Sequence, residues 1–396
     1  MRILVGWNDD AEAELISLYL GAGENEARLT SRSEDLLAAA NNDGPWDALL
    51  LATVFPDADA AYSTFVELRR LLPDCPIVGA CHTQDVFKIA RFLMQGMRAY
   101  VLRDAAGDFV FLIQAALEGA VQAVQAEHEQ KLAGRLREEI DSVRKLQESM
   151  IPRDLNTPPG YEICARYEPS QIQVMGGRPV IMAGGDYYDV FSLDEQSAVL
   201  LVGDASGHGM KACMSIMTMH TLVRMIRGNR YRETATFVAE INRRLCEQSL
   251  LQDDGGFITL IYAALRTDRH ELQWTSAGHP LPIIQDLETN EVRSIEAVDA
   301  GGMPLGVFSE ETYATCTTPI PPHNRVLLYT DGLVEAFPEG GGEHNEFGMN
   351  GIIATLKRCR SLSLDQTMQA LFDDSNAFTR GFGRHDDTSV VLLERA

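Results

Sequence analysis

Positive charge is scarce in this chain. Its 396 residues hold 34 lysines and arginines against 57 aspartates and glutamates, a formal net charge of −23 at pH 7. A surface of that sign repels phosphate backbones and anionic headgroups, so neither nucleic acid nor a membrane is expected as a partner. Long apolar runs are also missing; none approaches the roughly 20 residues of a membrane-spanning helix. The first residues, Met1-Arg2-Ile3-Leu4-Val5-Gly6, read as a strand and not as a signal peptide. Cysteines number only seven, at positions 75, 81, 164, 213, 246, 316 and 359. No two form a Cys-x-x-Cys pair, so neither a zinc site nor a disulfide framework is indicated, and a reducing, cytoplasmic setting is expected. What remains is ordinary for a globular protein: 45% hydrophobic and 23% charged residues. The length suggests roughly two to three domains.

The N-terminal third alternates strand-like and helix-like segments. Ile3 to Val5, Ala48 to Leu51, Ile77 to Ala80 and Ala99 to Leu102 read as buried parallel strands. Stretches near 10–20, 62–72, 85–95 and 108–124 carry apolar residues at helical spacing. Such alternation predicts a doubly wound, flavodoxin-like α/β domain over residues 1–124. The pattern resembles the receiver domain of bacterial response regulators, most clearly in Asp47-Ala48-Leu49-Leu50-Leu51-Ala52-Thr53-Val54-Phe55-Pro56. The chemistry of that family does not carry over. Ala52 stands where the phosphoacceptor aspartate ends the third strand. Trp7 and Asn8 stand at the acidic pair, with Asp9 and Asp10 just beyond as a shifted pair. Cys81 replaces the Ser/Thr, and Arg103 replaces the lysine. An alanine methyl cannot take a phosphoryl group. A pseudo-receiver with no phosphoacceptor is therefore expected.

Residues 125–150 are charged and free of proline. Leu132, Leu136, Val143, Leu146 and Met150 recur at alternating 4- and 3-residue spacing, interrupted at Glu139. Leu117, Val121, Val124 and His128 continue the spacing upstream in a shifted register. A long connector helix follows, with a narrow apolar seam that suits a coiled-coil homodimer or packing on its own domain. Pro152 should end it, and Pro158-Pro159-Gly160 marks the start of the next domain.

From 151 to 396 the pattern becomes antiparallel, with short apolar strands at Ala198–Val202, Phe257–Ala264, Leu272–Ser276, Pro282–Gln285, Arg325–Tyr329 and Ser389–Leu393. Helical stretches run from Lys211 to Arg227 and Thr234 to Ser249, giving an α+β expectation. The methionines of the first helix (Met210, Met214, Met217, Met225) read as core filling. Four acids sit beside glycine or at the end of an apolar run: Asp186, Asp204, Asp331 and Asp386. Carboxylates brought to one point repel each other and resist desolvation unless cations lie between them. An all-oxygen set suits magnesium or manganese.

These acids stand in seven ordered motifs. They are Gly184-Gly185-Asp186-Tyr187-Tyr188-Asp189, Asp204-Ala205-Ser206-Gly207-His208-Gly209, Ser276-Ala277-Gly278-His279-Pro280, Met303-Pro304-Leu305-Gly306, Tyr329-Thr330-Asp331-Gly332-Leu333-Val334-Glu335-Ala336, Phe347-Gly348 and Asp386-Asp387-Thr388. Together they resemble the PPM-type serine/threonine phosphatases, in the branch of the bacterial SpoIIE and RsbU enzymes, over about residues 145–396. The resemblance implies two packed antiparallel sheets flanked by helices. It also implies two divalent cations, Mn2+ or Mg2+. Asp204 would bridge them, the Ala205 carbonyl and Asp186 would serve one, and Asp331 and Asp386 the other. Glu335 matches a position that serves an additional metal or stands just behind the ligands. Water would attack phosphorus in line, with no covalent phosphoenzyme. The implied substrate is a small STAS-type anti-sigma-factor antagonist phosphorylated on serine or threonine, in a partner-switching pathway.

His208 and His279 each lie beside glycine, where a histidine more often satisfies a turn than donates a proton. The segment 170–183 is longer than the family's usual link and reads as a flap or hairpin carrying Arg178. Thr388 stands where the family has an apolar residue. Two other readings compete with the protein phosphatase: a non-catalytic adaptor that binds a signalling regulator, and a small-molecule phosphatase. Retention of all four acids weighs against the adaptor.

Overall fold

The computed structural model describes residues 1–396 apart from 22–24, 105–106, 153, 156, 173–179, 182–183, 208, 230–232, 249–255, 297–299, 339–344 and 382–383. The chain divides into two compact units, Met1–Leu136 and Arg137–Ala396.

The first unit alternates strands β1 (Arg2–Gly6), β2 (Glu26–Thr30), β3 (Ala48–Ala52), β4 (Ile77–His82) and β5 (Ala99–Arg103) with helices. The helices are α1 (Asp10–Gly21), α2 (Ser33–Asn42), α3 (Ala61–Leu71), α4 (Ile89–Met94) and the start of α5 (Val110–Met150). All strand pairs are parallel, in the order β2-β1-β3-β4-β5. This is a doubly wound order, and burial on both faces explains why β3 is a continuous apolar run. β2 and α2 were not visible as apolar runs, because β2 is an edge strand with no fully buried residue. The stretch 85–95 is not one helix but a 3-10 segment, Thr83–Lys88, followed by α4.

Helix α5 runs unbroken from Val110 to Met150 and stops before Pro152. Its upstream stripe packs on the first unit: Leu117 is fully buried, Val124 nearly so, and Val121 sits against the same core. Downstream, Leu132, Leu136 and Leu146 are 61%, 55% and 55% exposed, whereas Val143 and Met150 are half-buried.

The second unit opens with β6 (Tyr161–Glu168), the short β7 (Gln171–Ile172) and β8 (Val180–Ile181), β9 (Asp186–Asp194) and β10 (Ser197–Ala205). Next come α6 (Met210–Ile226), α7 (Thr234–Cys246), β11 (Ile258–Arg266), β12 (Glu271–Ala277), β13 (Ile283–Asp286), β14 (Val292–Ser294), β15 (Cys316–Pro319) and β16 (Asn324–Tyr329). It closes with α8 (Gly348–Arg358), α9 (Leu364–Phe378) and β17 (Thr388–Arg395). Two five-stranded antiparallel sheets result, β15-β12-β11-β10-β9 and β14-β13-β16-β17-β6. Val202, Ile261 and Trp274 of the first share a core with Val326, Leu328 and Val391 of the second. Helices α6 and α7 cover the outer face of the first sheet, and α8 and α9 that of the second. Each large side chain in these layers contributes roughly 1.5–3 kcal/mol on burial. The sheets are thereby clamped, and their strand ends become fixed platforms. The insertion after Ser170 folds back as an antiparallel ladder, β7 on β8, with Arg178 outside the described residues.

One expectation fails on α6. Met210, Met214 and Met225 are 41%, 43% and 65% exposed, and the core side is held by Ala212, Cys213, Ile216, Met219 and Val223. The side chains that meet the sheet lie 3 or 4 residues apart through Cys213, Ile216, Met219 and Val223, which turns Met210, Met214 and Met225 outward. Met217 is half-buried.

Candidate active site

Four strand ends converge on the acids. In the first sheet β9 and β10 pair so that Asp186 lies directly opposite Asp204, which on its other side faces Thr259 of β11. Like charges opposed in a ladder are destabilising unless something offsets them. In the second sheet β16 ends at Tyr329 and leads through Thr330 into the 3-10 turn Asp331–Leu333, while Asp386 and Asp387 immediately precede β17. Backbone pairing of Thr330 N–H to the Ser389 carbonyl (3.0 Å) keeps these two ends together. Thr330 also joins the sheets. Its hydroxyl donates to Asp186 Oδ2 at 2.7 Å and accepts from Ser389 N–H at 2.8 Å. Ala205, after Asp204, donates its N–H to the Gly185 carbonyl at 2.9 Å.

The electrostatics are those of acids short of counter-charge. Burial, then the charges of Asp204 and Asp387, holds Asp186 well above the usual carboxylate range. Asp204 is pushed up to about 9 by burial and by Asp331, Asp386 and Asp387. Asp386 rises to about 7 through burial, with Asp387, Asp331 and Glu335 adding to it. Burial raises Asp331 too. The guanidinium of Arg384 lies within electrostatic range of Asp186, but it is committed to Glu168 (3.0 Å) and the Thr388 hydroxyl (2.8 Å). Among the described residues no three acidic, histidine or cysteine side chains enclose an ion as they stand. The fit to cations rests on the donors themselves. They are all oxygen, they are mutually repulsive, and Asp331 Oδ1 is buried with no hydrogen-bond partner among the described residues.

The comparisons with known proteins agree with this geometry. The family described as Stage II sporulation protein E (SpoIIE) matches residues 194–396, a little over half of the chain. The chain belongs to the SpoIIE family. It is a PPM-type serine/threonine phosphatase. Phosphoserine phosphatase RsbU of Bacillus subtilis is 24% identical over 335 residues, covering 83% of each chain. Phosphoserine phosphatase RsbP of the same organism is 27% identical over 155 residues, which is 38% of this chain and 36% of that protein. The SiaA-PP2C domain of Pseudomonas aeruginosa shares the fold, with a TM-score of 0.53, 17% identity, and coverage of 68% of this chain and 98% of that one.

In this SpoIIE-type domain Asp204, Asp331 and Asp386 fall inside the matched residues, and Asp186 lies just before them. Glu335 is exposed, and its charge reaches Asp386. His279 is buried, with Nδ1 2.9 Å from the Thr259 hydroxyl; burial depresses its pKa to about 3 and keeps it neutral. Its N–H and carbonyl are tied to the Ser276 hydroxyl, as expected of a turn histidine. His385 stacks on Phe337 with ring centroids 4.0 Å apart, and His208 lies outside the described residues.

Three residues that shape the site escaped the sequence. Thr330 stood in a recognised motif but was read only as a neighbour of Asp331. Gln147, near the end of α5, donates to the carbonyls of Gly184 (3.1 Å) and Asp186 (3.2 Å) and accepts from Gly184 N–H (2.9 Å). Asp387 holds backbone amides of two segments. The second acid of Asp386-Asp387 was a legible signal; for Gln147 the sequence offered none, since its partners lie almost 40 residues away.

Proposed function

We propose that the SpoIIE-type domain is a two-cation phosphoprotein phosphatase in which Asp204 would serve both ions. The Ala205 carbonyl and Asp186 would serve one ion, and Asp331 and Asp386 the other, with Mn2+ or Mg2+ as the metal. Asp204 and Asp331 are the residues on which turnover depends most, and Glu335 stands behind the ligands or serves a further ion. The observation that carries this reading is the buried Asp331 Oδ1, without a hydrogen-bond partner among the described residues, beside acids whose pKa values are raised together. Bound cations would supply a nucleophilic water at neutral pH and neutralise the phosphoryl oxygens. The chain's own part is to hold the ligands rigidly, with two of the neighbouring side chains already committed. The Thr330 hydroxyl is consumed by Asp186 and Ser389, and His279 is buried and neutral. Direct attack by water without a phosphoenzyme, as the family resemblance implies, would accord with these commitments.

The substrate would be phosphoserine or phosphothreonine on a small STAS-type anti-sigma-factor antagonist, placing the enzyme in a partner-switching pathway; RsbU and RsbP, both named phosphoserine phosphatases, support this class. A cytoplasmic setting accords with seven cysteines that are all thiols. The first unit would act as a pseudo-receiver. Ala52 is fully buried, Trp7 stacks on Phe109, and Arg103 lies over Trp7 while paired with Glu12. Asp9, half of the shifted acidic pair, instead caps α1 by accepting from Glu12 N–H. Regulation would pass through α5, paired with a second copy along the exposed Leu132 and Leu136.

The test is manganese-dependent hydrolysis of p-nitrophenyl phosphate and of a phosphoserine STAS protein by the full chain, beside Asp331→Ala. Activity that needs metal and vanishes in the variant is expected. Equal activity in both proteins overturns the assignment of Asp331.

A further inference from the structure

Asp386 and Asp387 are adjacent, yet their side chains serve different ends. Successive residues of an extended chain point to opposite sides. Asp386 accepts from its neighbour's N–H and remains partly open to the acid cluster. Asp387 is buried, and both of its oxygens are committed to backbone amides. Oδ1 accepts from Ser170 N–H at 2.7 Å and Oδ2 from Gly185 N–H at 2.7 Å. The Tyr167 hydroxyl approaches Oδ1 more distantly, at 3.5 Å. Burial raises the Asp387 pKa, and the two amides oppose that rise by stabilising the ionised form.

The two amides bracket the inserted segment. Ser170 precedes β7, and Gly185 follows β8 and directly precedes Asp186. The approach is so close that a Cβ on Gly184 would lie 1.7 Å from Asp387 Oδ2. On the other side a Cβ on Gly332 would lie 1.9 Å from the Asp387 carbonyl oxygen, so the main chain of Asp387 also abuts the turn of Asp331.

We infer that Asp387 is a positioning residue. Its carboxylate ties both ends of the 171–184 segment to the start of β17 and thereby sets Asp186 against Asp204, while its backbone seats the Asp331 turn. Each of its oxygens already holds a backbone amide, so its carboxylate acts here on the main chain. The role of Asp186 rests on the two-cation reading above; the tie itself does not.

The experiment compares the full-length native chain with Asp387→Ala and Asp387→Asn by amide hydrogen exchange with chelator present, and by manganese titration of p-nitrophenyl phosphate hydrolysis. In Asp387→Ala the Ser170 and Gly185 amides should exchange roughly tenfold faster or more, because each loses its acceptor. Asparagine keeps one acceptor oxygen and should protect one of the two amides. The manganese concentration giving half-maximal rate should rise roughly tenfold in Asp387→Ala and less in Asp387→Asn, with the rate at saturating metal falling much less. Unchanged exchange at both amides overturns the tie, whatever the activity. Faster exchange with an unshifted manganese midpoint removes the link to metal binding. A native chain with no metal-dependent rate refutes the two-cation reading, while exchange still decides the tie. Global exchange across β10 and β16 separates a local effect from misfolding.

Discussion

Both units bring side chains to the ends of strands, and the two ends differ in how charge is settled. In the first unit Arg103 finds Glu12, lies over the Trp7 indole, and adjoins a core in which Ala52 is fully buried. One acid and one aromatic ring meet one base there, so the charge is paired, while Arg103 Nε and Nη1 keep no hydrogen-bond partner among the described residues. In the second unit Asp186, Asp204, Asp331 and Asp386 meet with their ionisations shifted upward together. The nearby cation of Arg384 is spent on Glu168 and Thr388. A strand end that balances its own charges is finished as a structure. One that does not balance them needs ions from outside, and that need is what can be used for chemistry.

Neutralising one acid should break this contrast most sharply. Asp204→Asn removes the proposed bridging charge, so the rate with manganese should fall about a thousandfold, the equivalent of about 4 kcal/mol of lost transition-state stabilisation. The same substitution removes an acid whose ionised form burial and its neighbours disfavour, so the chelated variant should melt no lower than the chelated native chain. A calorimetric trace showing clear destabilisation would mean that the acids already balance one another. The converse experiment puts an acid where none is balanced. Ala52→Asp places a carboxylate in a fully buried position and should cost about 3–5 kcal/mol of stability in denaturant titration of the full chain. Neither that variant nor the native chain should gain 80 Da on the first unit after incubation with acetyl phosphate. Such an adduct on either protein would show a working receiver.

How much of this was legible depended on the range of the contact. The four acids could be found because Asp186 and Asp204 follow glycine, Asp331 ends an apolar run and Asp386 precedes one, and a strand end is a local property. The doubly wound order followed from alternating runs, although β2 escaped because an edge strand of half-exposed residues, Glu26–Thr30, leaves no apolar signature. Thr330, Asp387 and Gln147 act through partners 144, 202 and 37 positions away, and no local pattern encodes such reach. The methionines of α6 mislead for a related reason: composition says they can fill a core, but the phase of the helix decides whether they face it.

Acidity tests the contrast more gently. Burial and the neighbouring carboxylates raise Asp204 to about 9 and Asp386 to about 7, against about 3.9 for an unfolded aspartate. A raised acid contributes stability that is fully present below the unfolded value and is lost as pH rises through the folded one. The chelated protein should therefore melt progressively lower between pH 5 and pH 9, by several degrees on the order expected for a domain of this size. Saturating manganese should flatten the slope by supplying the missing charge, and a slope unchanged by metal would remove the acids from the ion site.

The smallest energetic effect belongs to α5, where the two behaviours meet on one helix. Leu117 is buried in the first unit, whereas Leu132 and Leu136 stand more than half exposed. A double substitution, Leu132→Glu with Leu136→Glu, changes only surface positions of the single chain and should alter its intrinsic stability by no more than about 0.5 kcal/mol per site. If the seam pairs two copies, the same change places like charges along a coiled-coil interface. Sedimentation should then show a native dimer and a variant monomer with the same helical content. Two monomers of equal size would leave the seam as a plain solvated stripe, and would require any signal from the first unit to travel along a single helix.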